Sequence, residues 1–205
     1  LRGTGLEAEG VNMVLMVDGY KEIAEAQMRR ILEVCKANGG TDCGEEPGKY
    51  WWDHRYDFYR PPLHPQYPLM YGTVESVTSY QNIGKLYDAK KELIENKYKK
   101  WSAQYTAHFS HWYPWGTMIY DRFYIQNPPQ DAREAFRLHN RIWSDCSRVN
   151  LEHGALLNEH HGIGFKLGWL MREQYGDAFD VLLQIKKQLD PNGIMNPGKL
   201  GFGIW

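Results

Sequence analysis

Asn158-Glu159-His160-His161-Gly162-Ile163-Gly164 is the segment of this chain densest in groups able to do chemistry. An imidazole exchanges protons near neutral pH or ligates a metal, and a glycine beside it lets backbone approach a ligand closely. By itself the segment fits a base cluster, a metal site or a turn with surface histidines. Adjacent side chains diverge on extended backbone, which disfavours one metal shared by His160 and His161. His108 and His111 lie three apart. On a regular strand that spacing sends them to opposite faces, so at most one joins Glu159 and His160. Tyr120, within GTMIYDRFYI, is a strand tyrosine, a type that packs in a core or interface; acid–base work by a phenol requires tuning by a neighbouring charge. Arg60 closes the aromatic stretch KYWWDHRYDFYR; an arginine grips a carboxylate or phosphate with two parallel hydrogen bonds, or makes a surface salt bridge. Asn196, fixed between Met195 and Pro197 in DPNGIMNPG, offers donors and an acceptor to a planar heterocycle, or caps a turn.

These residues need elements to position them. Val11–Val17 (VNMVLMV), ended by Asp18-Gly19, reads as a buried strand. Lys21–Asn38 places Ala24, Met28, Ile31, Leu32 and Cys35 on one helical face and stops at Gly39-Gly40. Pro61-Pro62 ends the aromatic stretch, since proline cannot continue a helix. Pro68–Ser79 reads as a strand. Gln81–Trp101 reads as a charged helix with Ile83, Leu86, Leu93, Ile94 and Tyr98 inward. Gln104–His111 and Thr117–Ile125 read as strands joined around Pro114-Trp115-Gly116. Pro128-Pro129 opens a helix whose inner face is Ala135, Leu138, Ile142, Cys146 and Val149. Gly154–Gly164 is turn-rich. A helical pattern returns at Ala178, Leu182, Ile185 and Leu189, and DPNGIMNPGKLG ends in irregular structure. The order departs from regular βαβ repeats, so the expectation is α+β: an antiparallel sheet with helices packed on one face. No internal domain boundary is visible.

Composition narrows the classes. The 205 residues suit one large domain or two small ones. With 24 Lys+Arg against 25 Asp+Glu there is no basic footprint for nucleic acid. No apolar run approaches the roughly 20 residues of a transmembrane helix. The odd trio Cys35, Cys43 and Cys146 argues against a disulfide framework and for buried or half-buried thiols in a reducing, cytoplasmic setting. The 8 Trp and 14 Tyr exceed what a core of this size needs, and the chain opens Leu1-Arg2-Gly3 without Met, as a fragment of a larger protein would.

NEHHGIGFKLGWL followed by LDPNGIMNPGKLG resembles the C-terminal, substrate-binding half of FAD-linked oxidases of the vanillyl-alcohol oxidase superfamily. The nearest likeness is to alkyldihydroxyacetonephosphate synthases and to D-lactate and glycolate oxidases, over about Met13 to Gly201. The resemblance implies a ferredoxin-like sheet and FAD as cofactor. It implies an N-terminal FAD-binding domain of the same protein as partner and a small-molecule substrate, and it admits a homo-oligomer. The isolated chain is expected to bind FAD poorly or not at all, because the N-terminal domain that holds most of the FAD in family members is not readable in it and no G-x-G-x-x-G follows a strand. Synthases carry three histidines before G-x-G where this chain has Glu159, His160 and His161, so the full triplet is absent. Their proton-transfer tyrosine, in C-I-Y, falls on M-I-Y at Tyr120. Their substrate-binding arginine, in Y-I-R, falls on F-Y-R at Arg60, and the asparagine near the flavin falls on Asn196.

The resemblance therefore implies Tyr120, His160 and His161 as catalytic and Arg60, Glu159 and His111 as substrate-binding. Asn196, His161 and Gly162 would face the flavin. It implies no metal: metal-dependent hydroxy-acid dehydrogenases of the superfamily have Glu before H-G where this chain has His160, and their G-D-G-N-x-H strand is missing. The expected activity is oxidation of a 2-hydroxy acid or alcohol. Alternatives are a phenolic-alcohol oxidase, to whose tails PGKLGFGIW is similar, and a synthase-like transferase. From other classes come a metal hydrolase built on His108, His111, Glu159 and His160, and a binding module without chemistry.

Overall fold

Residues 10–57 and 69–203 are described by the computed structural model. They fall in two units that divide between His64 and Pro65, just past the proline pair. In the first unit, α1 (Lys21–Ala37) carries Glu22 in its first turn and Lys36 in its last, each opposing the helix dipole. It ends because Gly39 adopts φ +83° and the N–H of Gly40 reaches back 2.8 Å to the carbonyl of Cys35, a Schellman stop. The expected inner face, from Ala24 to Cys35, is half-buried throughout. Helix α2 (Glu46–His54) begins with Pro47 in its first turn. The expected strand Val11–Val17 is not formed. Apolar character says that a segment seeks burial, but a strand also requires a ladder partner, and this unit has none among its described residues.

The second unit is built on β1 (Met70–Ser79), β2 (Ala103–Tyr113) and β3 (Gly116–Ile125), antiparallel throughout in the order β1-β3-β2. Helix α3 (Tyr80–Glu92) follows β1 directly. The predicted single helix to Trp101 tightens and loosens instead. A π turn at Leu93–Lys97 gives way to a 3-10 turn at Lys99–Trp101, and Ser102 at φ 49° turns the chain into β2. Pro114-Trp115 connect β2 to β3, and a Cβ on Gly116 would stand 2.1 Å from the Thr78 carbonyl, so only glycine fits there. Helix α4 (Ala132–Glu152) starts later than the prolines suggested. Asp131 caps it by accepting the N–H of Glu134 at 2.9 Å, which leaves Pro128-Pro129 in the approach. Short α5 (Met171–Tyr175) and α6 (Ala178–Leu189) precede an irregular tail.

Alternation along the strands sorts the sheet into two faces. Val74, Tyr105, Phe123 and Ile125 pack against Ile94, Leu138, Ile142 and Cys146 beneath α3 and α4. Each fully buried Ile or Phe there contributes about 1.5–3 kcal/mol. Two polar tethers fix α4 to β1: Trp143 Nε1 donates to the Thr73 carbonyl at 3.0 Å, and Asn150 Nδ2 to that of Glu75 at 3.4 Å. The expected α+β sheet with helices on one face is thus the observed architecture. A β-α-β-β-α order followed by one antiparallel bridge, Val77 with Leu156, is compatible with a ferredoxin-like arrangement. Of the thiols, Cys146 is buried and Cys35 half-buried, whereas Cys43 is exposed, against expectation.

Candidate active site

The other face of the sheet gathers the titratable side chains. Glu75, Tyr120 and His108 stand abreast across β1, β3 and β2, because Tyr120 pairs with Glu75 on one side and His108 on the other. After α4 the chain returns over this row. Two hydrogen bonds between Val77 and Leu156, of 2.9 and 3.3 Å, clasp it to the edge of β1. Glu159, His160 and His161 then donate three consecutive backbone N–H groups to one oxygen, Glu75 Oε1, at 2.9, 3.0 and 2.9 Å. Gly162 at φ +82° turns the chain away. A Cβ there would meet nothing within 4 Å, so the left-handed backbone, not crowding, selects glycine.

Glu75 is only 3% exposed. Its Oε2 lies 2.8 Å from His160 Nδ1 and 3.1 Å from His161 Nδ1, yet neither approach is aligned as a hydrogen bond and the atom is otherwise unpartnered. His160 Nδ1 lies also 2.6 Å from Glu159 Oε2. Glu159 Oε1 lies 3.0 Å from His111 Nδ1 and accepts the hydroxyl of Tyr113. That hydroxyl above all holds the Glu159 carboxyl below its ordinary range; burial opposes it, and His160 and His111 assist. The same bond pushes the Tyr113 phenol up. The Tyr120 ring stacks at 6.1 Å on His160 and meets His161 edge-on at 5.3 Å, with the Arg122 guanidinium 5.3 Å from its centre.

Tyr120, His111, Glu159, His160 and His161 are therefore brought together as the sequence suggested. The opposite-face expectation for His108 and His111 fails for a specific reason. Three steps along β2 from Phe109 to Trp112 match two along β3, from Ile119 to Thr117. The extra residue is a bulge. It aims His111 to the side that His108 occupies, where burial, then Arg122 and His111, push the His108 imidazole pKa down. Arg60 lies outside the described residues. Asn196 sits at φ 47° in the exposed tail. That tail is held by Asp190, which accepts the N–H groups of Ile194 and Met195 at 3.0 and 2.9 Å. It meets the site loop where Leu200 N–H donates to the Gly164 carbonyl at 3.2 Å. Among the described residues, no side-chain hydrogen bond joins Asn196 to the cluster.

Sequence reasoning missed Glu75 and Tyr113. A lone carboxylate inside the strand T-V-E-S-V was the available signal. Two overlapping sets, Glu75 with His160 and His161 and Glu159 with His111 and His160, have ligand-type atoms within 4.8 Å of one another, a spacing open to a divalent cation. Beside the cluster lies a cavity of about 280 Å³ walled by Thr73, Glu75, Trp143, His161, Gly162 and Lys166. The Lys166 ammonium sits 4.3 Å from the Trp143 ring, and burial pulls its pKa down.

A family model for the C-terminal domain of FAD linked oxidases matches residues 3–200. The chain belongs to that family. It is 27% identical over 192 residues to an alkyldihydroxyacetonephosphate synthase of Dictyostelium discoideum, covering 91% of this chain and 31% of the relative. It is 27% identical to a probable mitochondrial D-lactate dehydrogenase of Danio rerio, covering 92% and 37%. A solved structure of alkyldihydroxyacetonephosphate synthase superposes with a TM-score of 0.60 at 22% identity, over 88% of this chain and 30% of that one, which establishes the shared fold. The chain thus spans about a third of the length of the curated relatives it matches.

FAD is the cofactor of the enzymes in which this domain occurs. The residues present fit the ring end of such a group. Within this unit the helices cover only the opposite face of the sheet, and the phenol and imidazoles stand at least partly exposed on the open one. Among the described residues no helix is long and apolar enough to cross a membrane.

Proposed function

We propose that this chain is the substrate-side domain of a cytoplasmic FAD enzyme that oxidises a small hydroxy compound, a 2-hydroxy acid or an alcohol. Its partner is an N-terminal FAD-binding domain of the same protein. The observation that carries the reading is the convergence of Tyr120, His160 and His161 on the open sheet face, beside a cavity of about 280 Å³ that His161 lines. When bound, FAD supplies the hydride acceptor. The protein's share is the proton and the pose. As the carbinol carbon is oxidised, the substrate O–H proton passes to an imidazole nitrogen, with the Tyr120 phenol beside it. A lone pair left on oxygen completes the carbonyl. His161, Gly162 and Asn196 would face the flavin. Glu159 and His111 would order the polar end of the substrate, with Arg60 on its acidic tail.

The reading assigns no metal. The oxygens of Glu159 are already engaged by Tyr113, His111 and His160, and Glu75 Oε1 is saturated by three N–H donors, which leaves Glu75 Oε2 as the cluster's open carboxylate oxygen. A second reading, a synthase-type group transfer on the same residues, is favoured by the 27% identity to synthases over nine-tenths of the chain. Anaerobic mixing of the full-length protein with a panel of hydroxy acids and alcohols separates the two: oxidation bleaches the flavin stoichiometrically, whereas transfer leaves no net reduction. Tyr120→Phe is expected to slow bleaching about 100-fold with flavin content retained. Unchanged bleaching would remove Tyr120 from the chemistry.

A further inference from the structure

We infer that Glu75 is a positioning residue that holds His161 as the proton-accepting imidazole, in a Tyr120–His161–Glu75 relay. The inference rests on the proposed function and deepens it. Three imidazoles and two carboxylates meet in this cluster, and their distances assign each imidazole a carboxylate. His160 Nδ1 is nearest to Glu159, at 2.6 Å, and Glu159 also serves His111 and Tyr113. His161 has one carboxylate within ion-pair distance among the described residues, Glu75, at 3.1 Å. Removing Glu75 therefore leaves His160 a partner and His161 none.

Glu75 divides its two oxygens between two tasks. Oε1 gathers the N–H groups of Glu159, His160 and His161, a concave backbone cup of the kind that binds anions. The anion here is built into β1, so the cup is filled from within the protein and the loop is pinned over the sheet. Oε2 is left buried, unpaired and aimed at the two Nδ1 atoms. A buried carboxylate oxygen without a donor costs free energy until a proton-bearing nitrogen turns to it. A His161 that carries its proton on Nδ1 satisfies that oxygen and leaves the Nε2 lone pair free. A carboxylate orienting an imidazole in this way is the logic of hydrolytic triads. Tyr120, in register beside Glu75 and edge-on to His161, is the third member.

Glu75→Gln isolates the effect. The amide oxygen still fills the N–H cup, but the amide NH2 now presents a donor to His161 Nδ1. That forces the proton to Nε2 and removes the acceptor. In the full-length FAD holoenzyme, with the best substrate of the hydroxy-compound panel, Glu75→Gln should slow flavin reduction about 100-fold while substrate affinity changes little. Glu75→Asp, which keeps the charge, should recover part of the rate. Nitrogen-15 spectra of the histidines should show His161 protonated at Nδ1 in the wild type and at Nε2 in Glu75→Gln. Full rate in Glu75→Gln, or a slowed variant whose His161 stays protonated at Nδ1, would overturn the inference. So would a stoichiometric divalent metal that copurifies with the wild type and is absent from the variant, because Glu75 would then be a ligand. If Glu75→Gln does not fold, the wild-type spectrum decides, and an Nε2-protonated His161 refutes the relay. Tyr120→Phe separates the levels: normal turnover there sinks the proposed function, whereas slow Tyr120→Phe with fast Glu75→Gln sinks the relay alone.

Discussion

The two faces of the sheet each bury one carboxylate, and they use it oppositely. Asp121, 1% exposed, points beneath α3, where it accepts from Lys90 Nζ and the Tyr105 hydroxyl, and Ser76 Oγ accepts from the same ammonium at 2.8 Å. Burial pushes the Asp121 carboxyl up, against the pull of Lys90 and Tyr105. Burial likewise pushes the Tyr105 phenol up and the Cys146 thiol to about 12. Glu75, 3% exposed and in register beside Tyr120, instead meets backbone N–H groups and imidazoles that open to solvent. Burial therefore does not separate a structural carboxylate from a working one. The separating property is what its partners can do: an ammonium locked in the core ends the chain of contacts, whereas an exposed imidazole continues it.

The contrast can be broken by experiment. Lys90→Met should destabilise the full-length protein by about 3–5 kcal/mol in urea unfolding, because a buried charge loses its partner, and Lys90→Met with Asp121→Leu should restore most of it. Turnover per folded molecule should stay normal, and a large loss would show that the faces are coupled. Asp131→Ala, which uncaps the helix over the core, should cost about 1 kcal/mol in the same assay, again with normal turnover. The smallest effect belongs to Tyr113→Phe on the open face. A carboxyl with a depressed folded-state pKa stabilises the fold above its unfolded value and loses that stabilisation as pH falls through the folded value. Wild type should therefore melt slightly above Tyr113→Phe at neutral pH, and the gap should close on acidification below the ordinary glutamate value of about 4.3. A gap that persists in acid would place the effect in packing, not in Glu159.

The covered face was largely legible in the sequence. Helical spacing marks Ala135, Leu138, Ile142, Cys146 and Val149; the first four are buried and Val149 is half-buried. The strands around Gly116 were read from their turn. The failures share a cause: each depends on a partner distant in the chain. Val11–Val17 has the pattern of a strand without a ladder to join. The β2 bulge arises from register against β3, invisible in β2 alone, and it reverses the side on which His111 falls. Glu75 alternates like a solvent-facing strand residue. Only the return of the loop after α4 buries it, so half of the His160–His161 site was readable and the carboxylate that holds it was not.

That return has a kinetic consequence. The hydrogen bonds that close the cup on Glu75 join residues 84 to 86 apart in the chain. The tethers of α4 to β1 already span 70 and 75 residues, so docking α4 shortens the loop that remains to be closed, and the cup is expected to form after it. Contacts formed after the folding barrier govern how fast a structure opens more than how fast it assembles. The imidazoles are thus mounted on the segment expected to release first, and the sheet that carries Tyr120 outlasts each such opening.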